Sequence, residues 1–450
     1  MDKLGIAIAT ALAEIALVSI LTLAGSVSGQ AIEPDAQLGS GDLSTAEACV
    51  EYALANNPGL QASLQRWRAA ALAVPQVKSL PDPMVSYRYN LRPVETMMGI
   101  ERQSIEVAQT IPLFGRLDIA GLQAQQLAEA AGKDYLMARW MLIAEVKEAF
   151  YEFYYLARAL EVTRASLQLL SQIEAVSRSR YQTGLGTQSD LLRIQVELGK
   201  LQDQVNTLSD QLASARARLN AALNRPIDAA LAEPRPVQPL DVRLTDQVLL
   251  EFLDRHNPQI QAIDHMVRAA GHGVALARRQ YAPDITVGLM ITEVSADRMS
   301  LSSSNGQDML AATVSLNIPI WGGRVSAAVR QAELERQAAI LQRMDMANQL
   351  RARLSSALVQ FRDATRRLDL YTNALLPKAW QALKVSQEAF RTGSITLLEV
   401  IDAQRSYLEF DLARERALAD QYQAISRLEM LVGMDLARGR MDQEVTDGPR

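Results

Sequence analysis

The sequence predicts a mostly helical protein with a small amount of β-structure, built as two copies of one unit. Three observations carry that prediction. The segment ALANNPGLQA (Ala53 to Ala62) returns as FLDRHNPQIQA (Phe252 to Ala262), with Pro58 and Pro258 200 residues apart. The junction QTIPLFGR (Gln109 to Arg116) returns as LNIPIWGGR (Leu316 to Arg324), and the turn TGLGTQSDLL (Thr183 to Leu192) returns as TGSITLLEVI (Thr392 to Ile401). Similarity at a near-constant period marks a duplicated architecture. Proline-free stretches of great length lie between these anchors, and short alternating segments precede each junction.

Each element follows in order. Lys3, the apolar run from Leu4 to Ala24 and the small residues from Ser26 to Ala31 read as a secretory signal peptide over residues 1–31, the alternative being an uncleaved anchor. The first repeat is expected over 44–226. It opens with a helix over 44–80, capped by Ser44 or Thr45 and stopped by Pro81 and Pro83. In the segment after it, Val85, Tyr87, Tyr89 and Leu91 alternate with Met84, Ser86, Arg88 and Asn90, which is the period of a strand. A second strand over about 103–111 sets Ile105, Val107 and Ile111 against Ser104, Glu106 and Thr110, with Gln109 spoiling the apolar face. A helix without proline then runs over 116–183.

After Gly186 a return helix carries Leu191, Ile194, Leu198, Leu201, Val205, Leu208, Leu212, Ala215, Leu219 and Ala222 at intervals of three and four. That is the heptad spacing of coiled-coil packing. The two shorter helices of the repeat would stack end to end along the long one. A proline-rich linker (227–241) leads to the second repeat (242–433), and a polar tail follows (434–450). In the second copy Ile285, Val287, Leu289 and Ile291 share one strand face, as do Leu310, Ala312, Val314, Leu316 and Ile318 in the next strand. Pro377 should kink the second long helix rather than end it.

Composition narrows the function. The chain has 450 residues, 48% hydrophobic and only 5% aromatic, which suits long packed helices. A net charge of −5 offers no basic field for nucleic acid. The one cysteine, Cys49, excludes an intrachain disulfide framework and reads as a small core residue. His265 and His272 share a helix face at spacing seven, whereas ligand pairs favour four, so no metal site is expected. No nucleophile elbow, phosphate loop or zinc signature points to catalysis or a cofactor.

Two strands per copy are too few for a free-standing sheet. Strands of this length, greasy on one face and polar on the other, suit a membrane β-barrel, in which no edge can remain open. Four per chain then require at least two chains. Pro112 and Pro319 each end a ladder, and Phe114 and Trp321 follow at the rim, where they are either interfacial or buried.

These motifs together resemble the outer membrane efflux protein family, the TolC-like channels, over nearly all of the chain beyond its leader. The resemblance implies a homotrimer whose twelve strands close one barrel in the outer membrane and whose helices form a hollow barrel across the periplasm. It implies an exit duct of a tripartite pump, serving a periplasmic adaptor and an inner-membrane pump of the resistance-nodulation-division type, with outer-membrane lipid around the strands. Type I protein secretion is the alternative within that reading. A periplasmic coiled-coil scaffold that conducts nothing is the alternative outside it.

The resemblance also implies a periplasmic constriction. Glu399 and Asp402 fall on the family's acidic pattern after the second turn and lie three apart on one helix face. Repeated around a pore they would form carboxylate rings that attract cations and repel anions. Asp190 is the equivalent of Glu399 in the first hairpin, while Arg193 replaces the second acid. The family's latch positions hold Phe390 and Ile395 here, so a latch must use other contacts, one possibility being Arg193 with Glu399 or Asp402. The turns at Gly184, Leu185 and Gly186 and at Gly393, Ser394 and Ile395 are expected to meet the adaptor.

Overall fold

The protein is described here by a computed structural model covering residues 42–436 apart from 241, 243, 244, 298–302 and 304. The expected leader over 1–31 and the tail beyond 436 lie outside the described residues.

The single helix expected over 44–80 is two helices, α1 (Ala46–Asn56) and α2 (Pro58–Lys78). Proline disfavours helical backbone in the residue before it, so Asn57 turns extended, with φ −73° and ψ 119°. Its side chain then caps α2, accepting from the Leu60 N–H at 3.0 Å. The Asn57 amide also donates to the Ala222 carbonyl at 3.3 Å and so ties α2 to the end of the return helix. The second repeat does the same between α5 (Asp246–His256) and α6 (Pro258–Arg279). There Asn257, fully buried, accepts from Ile260 N–H at 2.9 Å and donates to the Leu431 carbonyl at 2.7 Å. The recurring Asn-Pro pair is thus a joint that both breaks a helix and fastens it. Cys49 sits in the core as expected, its thiol pushed up to about 12, mainly by burial.

The long helix α3 (Arg116–Gln182) has 67 residues, roughly 100 Å of helix. The return helix α4 (Gln188–Ala222) buries Ile194, Leu201, Val205, Leu208, Ala215 and Leu219, the seam its heptads predict. Both α2 and α4 pack along α3, with Trp67 of α2 stacked on Tyr135 of α3 at 5.9 Å. In the second repeat α7 (Gly322–Leu370) passes through a π-turn, Tyr371–Leu375, into α8 (Leu376–Thr392). Pro377 lies in the first turn of α8, where its missing N–H is tolerated, so the helix continues past the proline as expected and the π-turn marks the adjustment. The last helix, α9 (Leu397–Val432), packs along α7 and α8 and also along α3.

The two repeats meet where α3 packs against α6 and α9. The α9 contact is unusually polar. Glu148 pairs with Arg427 at 2.7 Å, Glu152 with Arg416 at 2.7 Å and Lys147 with Glu429 at 2.6 Å. The linker lies beside α9, where Gln421 bonds both the N–H and the carbonyl of Leu240 and Tyr422 donates to the Gln238 carbonyl.

The strands β1 (Met84–Thr96), β2 (Gly99–Ile111), β3 (Asp284–Ser295) and β4 (Met309–Asn317) form one antiparallel sheet in chain order. The first hairpin thereby joins the second through β2 and β3. Among the described residues, β1 and β4 each keep one edge without a strand partner. No helix among the described residues is long and apolar enough to cross a membrane.

Candidate functional site

The sheet inverts the rule of soluble proteins. Its register aligns Val85, Val107, Leu289 and Ala312 in one row and Tyr87, Ile105, Ile291 and Leu310 in the next. Toward the helices, Ile111, Ile285 and Leu316 form another. All lie on one face, and that face is bare: Leu289 is 58% exposed and Val314 70%. The other face carries Ser86, Glu106, Ser104, Thr292, Thr110, Thr286 and Ser315, and Thr292 is only 4% exposed. Polar groups there satisfy one another. Thr110 and Thr286 share a hydrogen bond of 2.9 Å, and Thr313 donates to Glu106 at 3.1 Å across the glycine gap at Gly288. A continuous apolar surface of this kind requires a nonaqueous neighbour. Gln109, the misfit of the alternating pattern, bends back to donate to the Pro81 carbonyl at 2.8 Å.

At the strand-to-helix junctions the rim residues Pro112, Phe114, Pro319 and Trp321 follow β2 and β4. Phe114 and Trp321 are exposed in the single chain, Trp321 by 75%. Phe114 (φ 59°) and Gly115 (φ 69°) both take left-handed backbone, which turns the chain sharply into α3. Arg116, the first residue of α3, grips Asp284 at the start of β3 with bonds of 3.0 and 3.1 Å. The helices are thus fixed to the sheet by an ion pair across the two repeats, one guanidinium nitrogen donating to both carboxylate oxygens.

The hairpin turns at the other end are built alike. Gly184 (φ 77°) and Gly393 (φ 82°) supply the left-handed residue that ends α3 and α8. Leu185 and Gly186 donate back to the Arg180 carbonyl at 2.8 and 3.0 Å, and Ser394 donates to Ala389 at 2.8 Å. Leu185 is exposed, whereas Ile395 packs partly against the apolar cluster of the tip. Each following helix opens on a threonine. Asp190 donates its N–H to the Thr187 hydroxyl at 3.2 Å, and its carboxylate accepts from that hydroxyl at 2.6 Å. Glu399 accepts from the Thr396 N–H at 3.2 Å in a reciprocal capping box. Local capping therefore accounts for an acid at each of these positions, a role that sequence comparison of the two turns did not reveal.

Glu399 and Asp402 are both exposed and sit in the first two turns of α9. Asp402 faces Arg405 at 3.6 Å. Arg405 in turn reaches Glu197 of the first hairpin at 2.5 Å, and Lys200 holds the same carboxylate at 2.9 Å. Burial would raise the Glu197 pKa, but its bonds to Arg405 and Lys200 outweigh that and lower it. Arg193 is exposed and bonds neither Glu399 nor Asp402 within the chain. The cation that meets Asp402 is Arg405, which the i, i+3 spacing could have flagged. Of the histidines, His265 shares a 2.9 Å hydrogen bond with Gln126, and its pKa is lowered chiefly by burial.

A bare apolar sheet face, a polar reverse and helices of this length define a subunit of an envelope conduit. The family model described as outer membrane efflux protein matches residues 49–225 and 249–434, and the chain belongs to that family. The match falls once on each repeat. The pyoverdine export outer membrane protein OpmQ of Pseudomonas putida is 24% identical over 346 residues, covering 73% of this chain and 70% of that protein. The cobalt-zinc-cadmium resistance protein CzcC of Cupriavidus metallidurans is 21% identical, covering 86% and 90%. Among solved structures, the outer membrane protein VceC of Vibrio cholerae superposes with a TM-score of 0.72 at 19% identity, over 87% of this chain and 96% of that one. The protein accordingly resides in the outer membrane with its helices in the periplasm, and it is a conduit rather than an enzyme.

Proposed function

We propose that this chain is one subunit of a trimeric exit duct for small-molecule efflux, passively conducting what an adaptor and an inner-membrane pump of the resistance-nodulation-division type deliver. The bare apolar face of the sheet carries the proposal. Three copies of a four-stranded sheet would pair β1 of one with β4 of the next and abolish every open edge. Exposed apolar residues at the lateral helices, Leu72 on α2 and Leu334, Leu341 and Val359 on α7, are the complementary surfaces such closure would cover. Glu399 and Asp402 narrow the periplasmic end, with Asp190 and Arg193 of the first hairpin beside them. The turns at Gly184, Leu185 and Gly186 and at Gly393, Ser394 and Ile395 receive the adaptor. Relatives named for pyoverdine export and for metal resistance favour small cargo over protein, and the pump selects it.

The test is electrical. The purified oligomer in planar lipid bilayers should conduct in small cation-preferring steps. The double variant Glu399→Ala, Asp402→Ala should raise the conductance and weaken the cation preference. A wild-type protein that forms no oligomer and no channel would end the duct reading. A double variant with wild-type conductance and selectivity would remove the acidic constriction alone.

A further inference from the structure

We propose that Arg180 is the positioning residue of the periplasmic constriction, holding the second hairpin turn, and through it Glu399 and Asp402, against the first. The inference rests on the reading that these two acids narrow the pore. Arg180 lies in the last turn of α3, four residues before Gly184. Its guanidinium stands 4.9 Å from the ring centroid of Phe390, in the last turn of α8, and donates to the Phe390 carbonyl. That carbonyl also accepts from the Gly393 N–H at 3.0 Å, so the cation meets the turn at the point where it reverses. A methyl group on Gly393 would stand 3.3 Å from Nη2 of Arg180, so the glycine also gives the guanidinium room. The carbonyl of Arg180 meanwhile accepts from Leu185 and Gly186 and shapes its own turn. One residue therefore organises both reversals, its backbone the first and its side chain the second.

The link from Phe390 to the acids is short. The Phe390 ring is buried in one cluster with Ile173 and Ile194 of the first hairpin and with Leu397, Val400 and Ile401 of α9. Leu397, Val400 and Ile401 alternate with Glu399 and Asp402 on the opening turns of the same helix. A Phe390 ring freed to rotate or withdraw loosens the packing that orients those turns. A cation at the C-terminal ends of α3 and α8 is also favoured by both helix dipoles. The contact is made to a ring and a carbonyl rather than to a carboxylate. It is therefore expected to persist at low pH, where the Arg405–Glu197 pair on the same tip does not.

The experiment compares the full-length oligomers of wild type, Arg180→Ala, Arg180→Lys, Phe390→Leu and the Glu399→Ala, Asp402→Ala pair in planar bilayers, with heat-resistant oligomer on gels as the control for assembly. A cation–π contact of ordinary strength should shift the closed-to-open ratio by roughly two- to thirty-fold per subunit when removed. Arg180→Ala and Phe390→Leu should each raise the open fraction with the oligomer intact, and the two combined should do no more than either. Arg180→Lys, which keeps charge but loses the planar stack, should fall between. Should Arg180→Ala fail to assemble, Phe390→Leu and Arg180→Lys carry the same comparison. Wild-type gating in these variants, beside altered gating in the acidic pair, overturns the role of Arg180 and leaves the constriction standing. Wild-type gating in all of them overturns both.

Discussion

Leu289→Arg is the sharpest perturbation of the bare sheet face. Leu289 sits mid-strand in β3, between Val107 on one side and Ala312 on the other. If water lay against it, an arginine there would be one more exposed surface substitution, worth about 0.5 kcal/mol or less in either direction. Against hydrocarbon at the middle of a barrel wall the same change costs roughly 2–4 kcal/mol per copy. Three copies closing one barrel bring that to roughly 6–12 kcal/mol, comparable with the whole stability of a folded domain. Ser86→Arg supplies the control. Ser86 pairs with Glu106 on the opposite face, where a new guanidinium meets water and a carboxylate. Pulse expression followed by outer-membrane fractionation and heat-modifiable gel mobility measures the outcome. Leu289→Arg should accumulate little or no oligomer while Ser86→Arg assembles as wild type. Equal assembly of the two, or failure of Ser86→Arg alone, would refute the assignment of the faces.

Two further predictions concern the helices. Asn257→Ala removes a helix cap, worth about 0.5–2 kcal/mol, and strands the buried Leu431 carbonyl, worth about 1–3 kcal/mol more, so it should lower the urea midpoint more than Asn57→Ala at the half-exposed equivalent joint; equal losses would contradict this. The lowered pKa of Glu197 contributes stability that is fully present above its ordinary value of 4.5 and is lost as pH falls through the lowered value in the folded protein. Hydrogen-exchange protection factors at the hairpin tips should therefore fall on acidification below pH 4.5, and Glu197→Gln should flatten that dependence while lowering protection at neutral pH. An acid response unchanged by Glu197→Gln would show that another group governs it.

What the sequence disclosed and what it withheld divide along physical lines. Periodic features were legible because burial alone dictates them. The heptads of α4 and the alternation in β1 to β4 each repeat a residue choice at the spacing of the backbone, so chance coincidence fades with every turn. The repeat anchors Pro58 and Pro258 were legible as landmarks, yet their local effect was missed. The helix expected over 44–80 ignored the conflict between Asn57 and the proline after it, a conflict that a two-residue word announces to anyone who asks where the Asn57 side chain goes. The cross-hairpin contacts were hidden for a different reason. Arg405 finds Glu197 across 208 positions of chain, and Arg180 finds Phe390 across 210. Neither pair has a spacing rule, because the partners meet only after α3 and α9 have settled into one register. That register is held by apolar contacts such as Tyr151 stacked on Tyr422 at 4.4 Å together with polar pairs such as Glu152–Arg416 and Lys147–Glu429. Lys147–Glu429 is the most buried of the ion pairs between α3 and α9, and buried ions gain little net energy when paired but cost several kcal/mol when left alone, so a slip of one turn along α9 that parts them is disfavoured. The pairing of Asp402 with Arg405 is open to a spacing rule, but the partners that Arg405 and Arg180 find in the other hairpin could be assigned only after the two repeats had been brought together.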